Sequence, residues 1–522
     1  MTGRYWRTGI VAALTILATP VAAAQWFEAR SDHFVIYAPG SADTARDYAT
    51  RLERFDKGLR VIRKRPDRPS DRSNPLFIYV LDNPAAVERL CGANGKRKPA
   101  TCRNVAGFYQ PRASGSVAFT PRRSGDGGKF DLDAQTVLFH EYAHHFMFAN
   151  YTAAYPSWFT EGFAEFNGTA RFERDGGLGF GIPALYRGYS LLRGQPMPVA
   201  ELLTVDNRKL KPEQRSVLYG RGWLLTHYLT FDKERDGQLG RYLTALNDGR
   251  SSLDAATAAF GDLKQLDRDL DRYLMASRMK YLVIGKDRLP IGDIAVRPLT
   301  PGETAMLPVR MRSERGVDAV AGRDVAAQAR LLAAPYPNDV MVQTWLAEAE
   351  YDARRDDLAE AAADRALAAD PKARDAMLYK GRAHVRRAVL AHATDPAVWK
   401  EARSWFIKAN RLDPEAAEPL MLFYDSFRAA RVRPSDNAVL GLEKAFVLAP
   451  QDGGLRFRLA REYLRDNKRA EAKLVLAPLA YDPHSGPDNP AARLIARIDT
   501  ADAATLRAAA DEGSPDDQDD SN

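Results

Sequence analysis

The sequence predicts two fold classes in series: an α+β N-terminal domain, built from a small mixed sheet plus helices, and then an all-α region of helical repeats. Three observations predict this. Short apolar runs of strand character alternate with longer helical patterns up to about residue 280. One of those helical patterns carries His140, Glu141 and His144 at H-E-x-x-H spacing. From about Val325 the texture changes to Ala-rich helices punctuated by prolines.

Residues 1–24 read as a secretory signal. Arg4 and Arg7 precede the apolar run Ile10 to Ala18, and Ala22, Ala23 and Ala24 offer a cleavage site before Gln25. The run is too short to span a bilayer, no Cys follows the cleavage site, and no later stretch reaches eighteen apolar residues. The expectation is an exported chain, periplasmic (the signal has a bacterial form) or secreted, with no stable membrane anchor.

His33 to Tyr37 reads as a strand, Ala42 to Ile62 as a long helix, and Leu76 to Leu81, Val105 to Tyr109 and Ser116 to Thr120 as further strands. Leu132 to Asn150 reads as a helix capped by Asp131 or Asp133, with a broad apolar surface from Val137, Leu138, Phe139, Tyr142, Phe146 and Met147. Pro156, Ser157 and Trp158 turn into a second helix that Glu161 to Phe166 continues. Residues 178–279 are mainly helical, with candidates at Leu185–Leu192, Val199–Leu203, Arg215–Thr230, Gly237–Asn247 and Leu266–Met279. The expected layout is a signal over 1–24, a domain over 25–280 and a linker of mixed structure over 281–324. Helical repeats over 325–500 follow, then a disordered acidic tail over 501–522.

Two cysteines, Cys91 and Cys102, are the whole complement of the chain. In an oxidising compartment this pair is expected to form a disulfide, contributing roughly 2 to 3 kcal/mol. The net charge of +7 becomes about +5 once the signal arginines are removed. The basic runs Arg60–Arg72 and Lys96–Arg103 lack the aromatic interleaving of a nucleic-acid binder, so no nucleic-acid partner is expected.

The chemistry concentrates in His140–Glu165, HEYAHHFMFANYTAAYPSWFTEGFAE. On a helix, residues four apart differ by only about 40° around the axis, so both imidazoles address one point. Glu141 sits beside that point without having to be a ligand, where a general base belongs. His145 points about 100° away from His144 and is not expected to ligate. Burying Glu161 and Glu165 among Trp158, Phe159, Phe163 and Phe166 is costly unless a cation compensates. Either glutamate could be the third ligand, with the other orienting a histidine. Two imidazoles and one carboxylate leave a tetrahedral position open, as a catalytic zinc site does.

H-E-x-x-H followed by W-F-x-E-G-F-A resembles the gluzincin metallopeptidases of the aminopeptidase-N type, and more closely the smaller bacterial peptidase MA-like domains found joined to helical repeats. The resemblance implies a zincin-like fold, Zn²⁺ held by His140, His144 and Glu161, and Glu141 as general base. It also implies that Tyr219, in the segment Tyr219–Trp223 (YGRGW), donates to the oxyanion of the tetrahedral intermediate; His227 is the other candidate for that role. The family's exopeptidase segment, of G-x-M-E-N type, is absent; Phe119 to Lys129 (FTPRRSGDGGK) occupies its place. The spacing from His144 to Glu161 is slightly shorter than the family's.

Pro337, Pro371, Pro414, Pro450 and Pro483 fall at intervals of 34, 43, 36 and 33 residues. Small or aromatic residues recur at matching places: Ala347, Ala359 and Ala366; Gly381; Ala402, Phe406 and Ala409; Ala460, Tyr463 and Ala472. This pattern resembles tetratricopeptide repeats with a loop around Leu390 to Pro396, and implies a surface for a protein partner. The expected function is an exported zinc metallopeptidase acting on a peptide or protein substrate. The alternative is a non-catalytic tetratricopeptide adaptor with a structural or vestigial zincin domain. Hydrolysis of a non-peptide amide is a third possibility that nothing in the sequence selects.

Overall fold

The computed structural model describes residues 25–92, 102, 105–125, 128, 130–480 and 488–511. The signal over 1–24, most of the loop between the cysteines, Pro483 and residues 512–522 lie outside the described residues. The N-terminal part runs β1 (Trp26–Arg30), β2 (Phe34–Pro39), α1 (Ala42–Arg63), β3 (Leu76–Leu81), α2 (Pro84–Cys91), β4 (Phe108–Gln110), β5 (Val117–Pro121), α3 (Ala134–Asn150) and α4 (Ser157–Gly168). It continues through β6 (Arg171–Phe172), β7 (Leu178–Phe180), α5 (Gly188–Arg193), α6 (Val199–Leu202), α7 (Pro212–Phe231) and α8 (Gln238–Asn247). Helices α9 (Ser252–Phe260) and α10 (Leu263–Leu274) then lead to β8 (Leu282–Ile284) and β9 (Ala295–Pro298).

The main sheet is mixed, with strand order β4-β5-β3-β2-β1-β9. Strands β2, β3 and β5 run parallel, while β4, β1 and β9 pair antiparallel at the two sides. A second sheet pairs β6, β7 and β8. All six residues of β2 are buried, because both faces of the sheet are covered. Alternation sorts them: Phe34, Ile36, Ala38, Leu76, Ile78 and Val80 face α1 and α3, while Val35, Tyr37, Tyr79, Val117 and Phe119 face the other way. On that second face Tyr37, Tyr79, Phe119 and Phe108 stack in a row with centroids 5.1, 5.3 and 4.7 Å apart.

What covers the row is the C-terminal region, whose described residues are helical. Its helices follow one another as α11 (Pro301–Glu314) and α12 (Ala319–Ala333), α13 (Val340–Asp352) and α14 (Asp356–Ala369), α15 (Arg374–Leu390) and α16 (Pro396–Leu412). Then come α17 (Ala417–Ala429) and α18 (Asp436–Leu448), α19 (Gly453–Arg465) and α20 (Arg469–Ala480), α21 (Pro490–Thr500) and α22 (Ala503–Asp511). Trp345 of α13 meets Tyr37 edge-on at 6.4 Å, and Met306, Val325 and Ala376 share the same apolar cluster. The turn between β4 and β5 is gripped from both ends of the helical region. Arg112 pairs with Glu314 at 3.2 Å, the Ala113 N–H donates to Asp452 at 2.6 Å, and Gln451 donates to Ser116 at 3.3 Å. Asn74 adds bonds to Glu415 and Ala417.

Residues 281–324, read from sequence as a mixed linker, supply β8 to one sheet, β9 to the other, and α11 to the shared apolar cluster. Residues 503–511 fall in the stretch read as a disordered tail, yet they form α22, whose Leu506 is buried. Cys91 and Cys102 are joined in a disulfide with Cα atoms 5.6 Å apart. Among the described residues no helix is long and apolar enough to cross a membrane.

Candidate metal centre

Helix α3 begins where Asp133 accepts from the Thr136 N–H at 2.7 Å, which settles the cap between the two aspartates read from sequence. The helix presents His140 and His144 on one face, with their Nε2 atoms 3.1 Å apart. Helix α4 crosses that face and points Glu161 at both: its Oε2 lies 3.5 Å from His140 Nε2 and 3.6 Å from His144 Nε2. A point equidistant from those three atoms lies about 2.0 Å from each, the distance at which imidazole nitrogen and carboxylate oxygen bind a zinc-sized cation. These three residues therefore form a group that could hold a metal ion.

Glycines bring the elements together. A Cβ on Gly162 would lie 2.4 Å from the Gly222 carbonyl oxygen, and a Cβ on Gly222 would lie 2.7 Å from that of Trp158. Helices α4 and α7 thus cross backbone to backbone at this pair. The crossing puts Tyr219, one turn before Gly222, next to Glu161. Gly168 makes a similar approach to His140, its would-be Cβ 3.2 Å from the His140 backbone. Gly107, just before β4, passes over Glu141, with only 3.3 Å from a would-be Cβ to Glu141 Cγ. Glu141 is partly exposed on α3 beside the edge strand.

Glu165 is almost fully buried and stands behind the triangle. Arg187 donates to it through Nη2 at 2.7 Å and Nε at 3.1 Å, the Tyr186 hydroxyl donates at 2.7 Å, and His140 Nδ1 lies 3.4 Å away. The residue reading left Glu161 and Glu165 open as third ligand. The geometry gives them different places: Glu161 faces both Nε2 atoms, and Glu165 faces the outer nitrogen of His140. Burial raises the Glu165 pKa, but Arg187, His140 and Tyr186 outweigh it and hold it below the usual range. Burial likewise opposes charge on His140, yet Glu161, Glu165 and Glu141 together raise its pKa. Three carboxylates, Glu161, Glu165 and Glu141, thus act together on His140, an arrangement that a cation would stabilise.

Tyr219 stacks obliquely near His140, with centroids 6.2 Å apart, under the Arg187 guanidinium at 5.1 Å. Burial and Glu161 raise its pKa well above the ordinary value, so the phenol remains a hydrogen-bond donor at neutral pH. His227, the other candidate for that role, lies in the core of α7 away from the triangle. Its Nε2 donates to the Gly181 and Lys280 carbonyls at 2.9 and 3.0 Å, and Nδ1 accepts from the Tyr273 hydroxyl at 2.8 Å. Both of its ring nitrogens are thus engaged within the fold. His145 points to Tyr109, whose hydroxyl is 2.9 Å from Nδ1, and is not one of the triangle's three residues. Sequence reasoning missed Tyr186 and Arg187, which sit in a short 3₁₀ turn with no motif around them. The sequence matches no protein-family model and no curated protein.

Proposed function

We propose that this protein is an exported, zinc-dependent metallopeptidase of gluzincin type, with a zincin-like N-terminal domain and tetratricopeptide-like helices that contact a protein partner or substrate. The observation that carries the reading is the triangle of His140 Nε2, His144 Nε2 and Glu161 Oε2, sized for one cation. Glu141 is on the same helix as the two histidines and is not one of the three residues of that triangle. Zinc held there would supply Lewis acidity, polarising a carbonyl oxygen and acidifying water near neutral pH.

The residues of the chain do the rest. Glu141 takes a proton from the attacking water and returns it to the leaving amine. Tyr219 donates its hydroxyl to the oxygen on which negative charge develops. Glu165, with Oε1 3.4 Å from His140 Nδ1, would fix the tautomer whose Nε2 lone pair faces inward. The outer edge of β4, beside Gly107 and Glu141, offers backbone groups to an extended peptide. The disulfide between Cys91 and Cys102 supports export to an oxidising compartment.

The test is Glu141→Gln in the full chain. Hydrolysis of casein or a peptide library by the wild type should be abolished by chelation and reduced at least about 10²-fold by the substitution, with zinc still bound. Full activity in Glu141→Gln would refute the reading. Zinc binding with no hydrolysis by the wild type would favour the non-catalytic adaptor.

A further inference from the structure

We propose that Arg187 is a positioning residue of the metal centre, acting through Glu165 on His140 and thereby setting metal affinity. This rests on the metal-centre reading above. The chain leaves β7 at Phe180, turns at Gly181, where φ is +77°, and enters the 3₁₀ turn Leu185–Arg187. That turn delivers two adjacent side chains to one carboxylate. Arg187 grips Glu165 with a two-pronged fork, Nη2 on Oε1 at 2.7 Å and Nε on Oε2 at 3.1 Å, and Tyr186 closes on Oε2 at 2.7 Å. A guanidinium fork fixes the plane of a carboxylate in a way a point charge does not. The oxygen nearest His140, Oε1 at 3.4 Å from Nδ1, is thereby held in one place.

Arg187 also reaches the other side of the centre. Its guanidinium lies over the ring of Tyr219 at 5.1 Å, and Nη1 is 3.5 Å from the Ser216 hydroxyl on α7. One side chain thus ties α4, which carries Glu161 and Glu165, to α7, which carries Tyr219. A buried ion pair is a poor source of fold stability, because the two desolvation costs offset most of the attraction. An apolar pair could fill the same space. It could not present an acceptor to His140 Nδ1–H, and outer partners of that kind set the affinity of metal-binding histidines.

The test measures Zn²⁺ affinity of the full chain by competition with a chromophoric chelator, alongside urea denaturation of the metal-free protein. Arg187→Met should weaken Zn²⁺ binding about 10- to 100-fold. Pairing it with Glu165→Gln removes the uncompensated buried charge, so the urea midpoint should return to the wild-type value. Zn²⁺ affinity should nevertheless stay at least tenfold below wild type. Arg187→Lys keeps the charge without the fork and should fall between wild type and Arg187→Met, giving the same comparison in a chain whose buried charge is intact. A role confined to the fold predicts that affinity recovers with stability. Affinity within twofold of wild type in the double variant, or in Arg187→Met, would overturn the proposal. A wild type that binds Zn²⁺ one to one beside unaffected variants sinks this inference alone, whereas a wild type that binds none sinks the metal centre with it.

Discussion

Gly162→Ala sets two opposing effects of known size against each other. Replacing an interior helical glycine by alanine should stabilise α4 by about 1 kcal/mol through helix propensity. Here the new Cβ would sit 2.4 Å from the Gly222 oxygen, 2.6 Å from Thr226 Oγ1 and 2.7 Å from the Gly222 carbonyl carbon, whereas ordinary contact begins at 3.4 Å. Two of the three obstructing atoms are backbone, so no rotamer change relieves the overlap, and α7 must move off α4 by about 1 Å. Overpacking of this kind costs typically 1–3 kcal/mol, so against the propensity gain the net loss is up to roughly 2 kcal/mol. In urea the midpoint should fall by up to roughly 0.7 M, taking an m-value near 3 kcal/mol per molar. Gly240→Ala, in α8 with nothing within 4 Å of its would-be Cβ, isolates the propensity effect and should raise the midpoint. Because the α4–α7 crossing also sets Tyr219 against Glu161, hydrolysis should drop by up to about 10²-fold in Gly162→Ala. Equal stabilisation of Gly162→Ala and Gly240→Ala would refute the close crossing and the placement of Tyr219 with it.

Two further outcomes follow from the same geometry. Tyr219→Phe should keep one zinc per chain and a wild-type urea midpoint while turnover falls about 10²- to 10³-fold; undiminished turnover would remove the phenol from the mechanism. The pH dependence of stability should show two limbs, read from urea midpoints between pH 4 and 10. His33 is opposed by burial but held by Asp56, Asp71 and Glu53, which raise its pKa to about 10, so its contribution is complete below pH 6.5 and is lost as pH climbs towards 10. His227 is shifted the other way, to about 4 by burial, so the unfolded chain takes up the extra proton and stability falls as pH drops from 6.5 towards 4. His33→Gln should flatten the alkaline limb; parallel alkaline limbs for wild type and variant would show that the cluster around His33 does not titrate as described.

Much of the centre was legible because its chemistry is local. His140, Glu141 and His144 lie within one and a half helical turns, and Leu132–Asn150 was read as a helix close to the observed Ala134–Asn150. The strand Leu76–Leu81 and the helix from Ala42 were read almost to the residue for the same reason, since the apolar period is written in consecutive positions. The role of Gly162 was hidden, because what makes it a glycine is Gly222, sixty residues away. Arg187 was hidden likewise: an arginine in a Pro- and Gly-flanked turn has no meaning until the fold brings Glu165 to it. Strand β9 pairs with β1 across nearly the whole N-terminal part of the chain, and four residues with two exposed ends carry no strand signal of their own. Helix α9 (Ser252–Phe260) was not picked out, and the helix expected over Leu266–Met279 instead spans Leu263–Leu274. His227 stayed open in the sequence because a histidine two turns from Tyr219 looks the same there whether its nitrogens face a substrate or two backbone carbonyls.

The most direct measurement is metal content of the purified full chain by elemental analysis, for wild type, His140→Ala and His145→Ala. The account predicts one zinc per chain in the wild type, none retained in His140→Ala, and one retained in His145→Ala, whose ring faces Tyr109 instead. Zinc retained without His140, or lost without His145, would place the metal elsewhere and contradict the centre built on His140, His144 and Glu161.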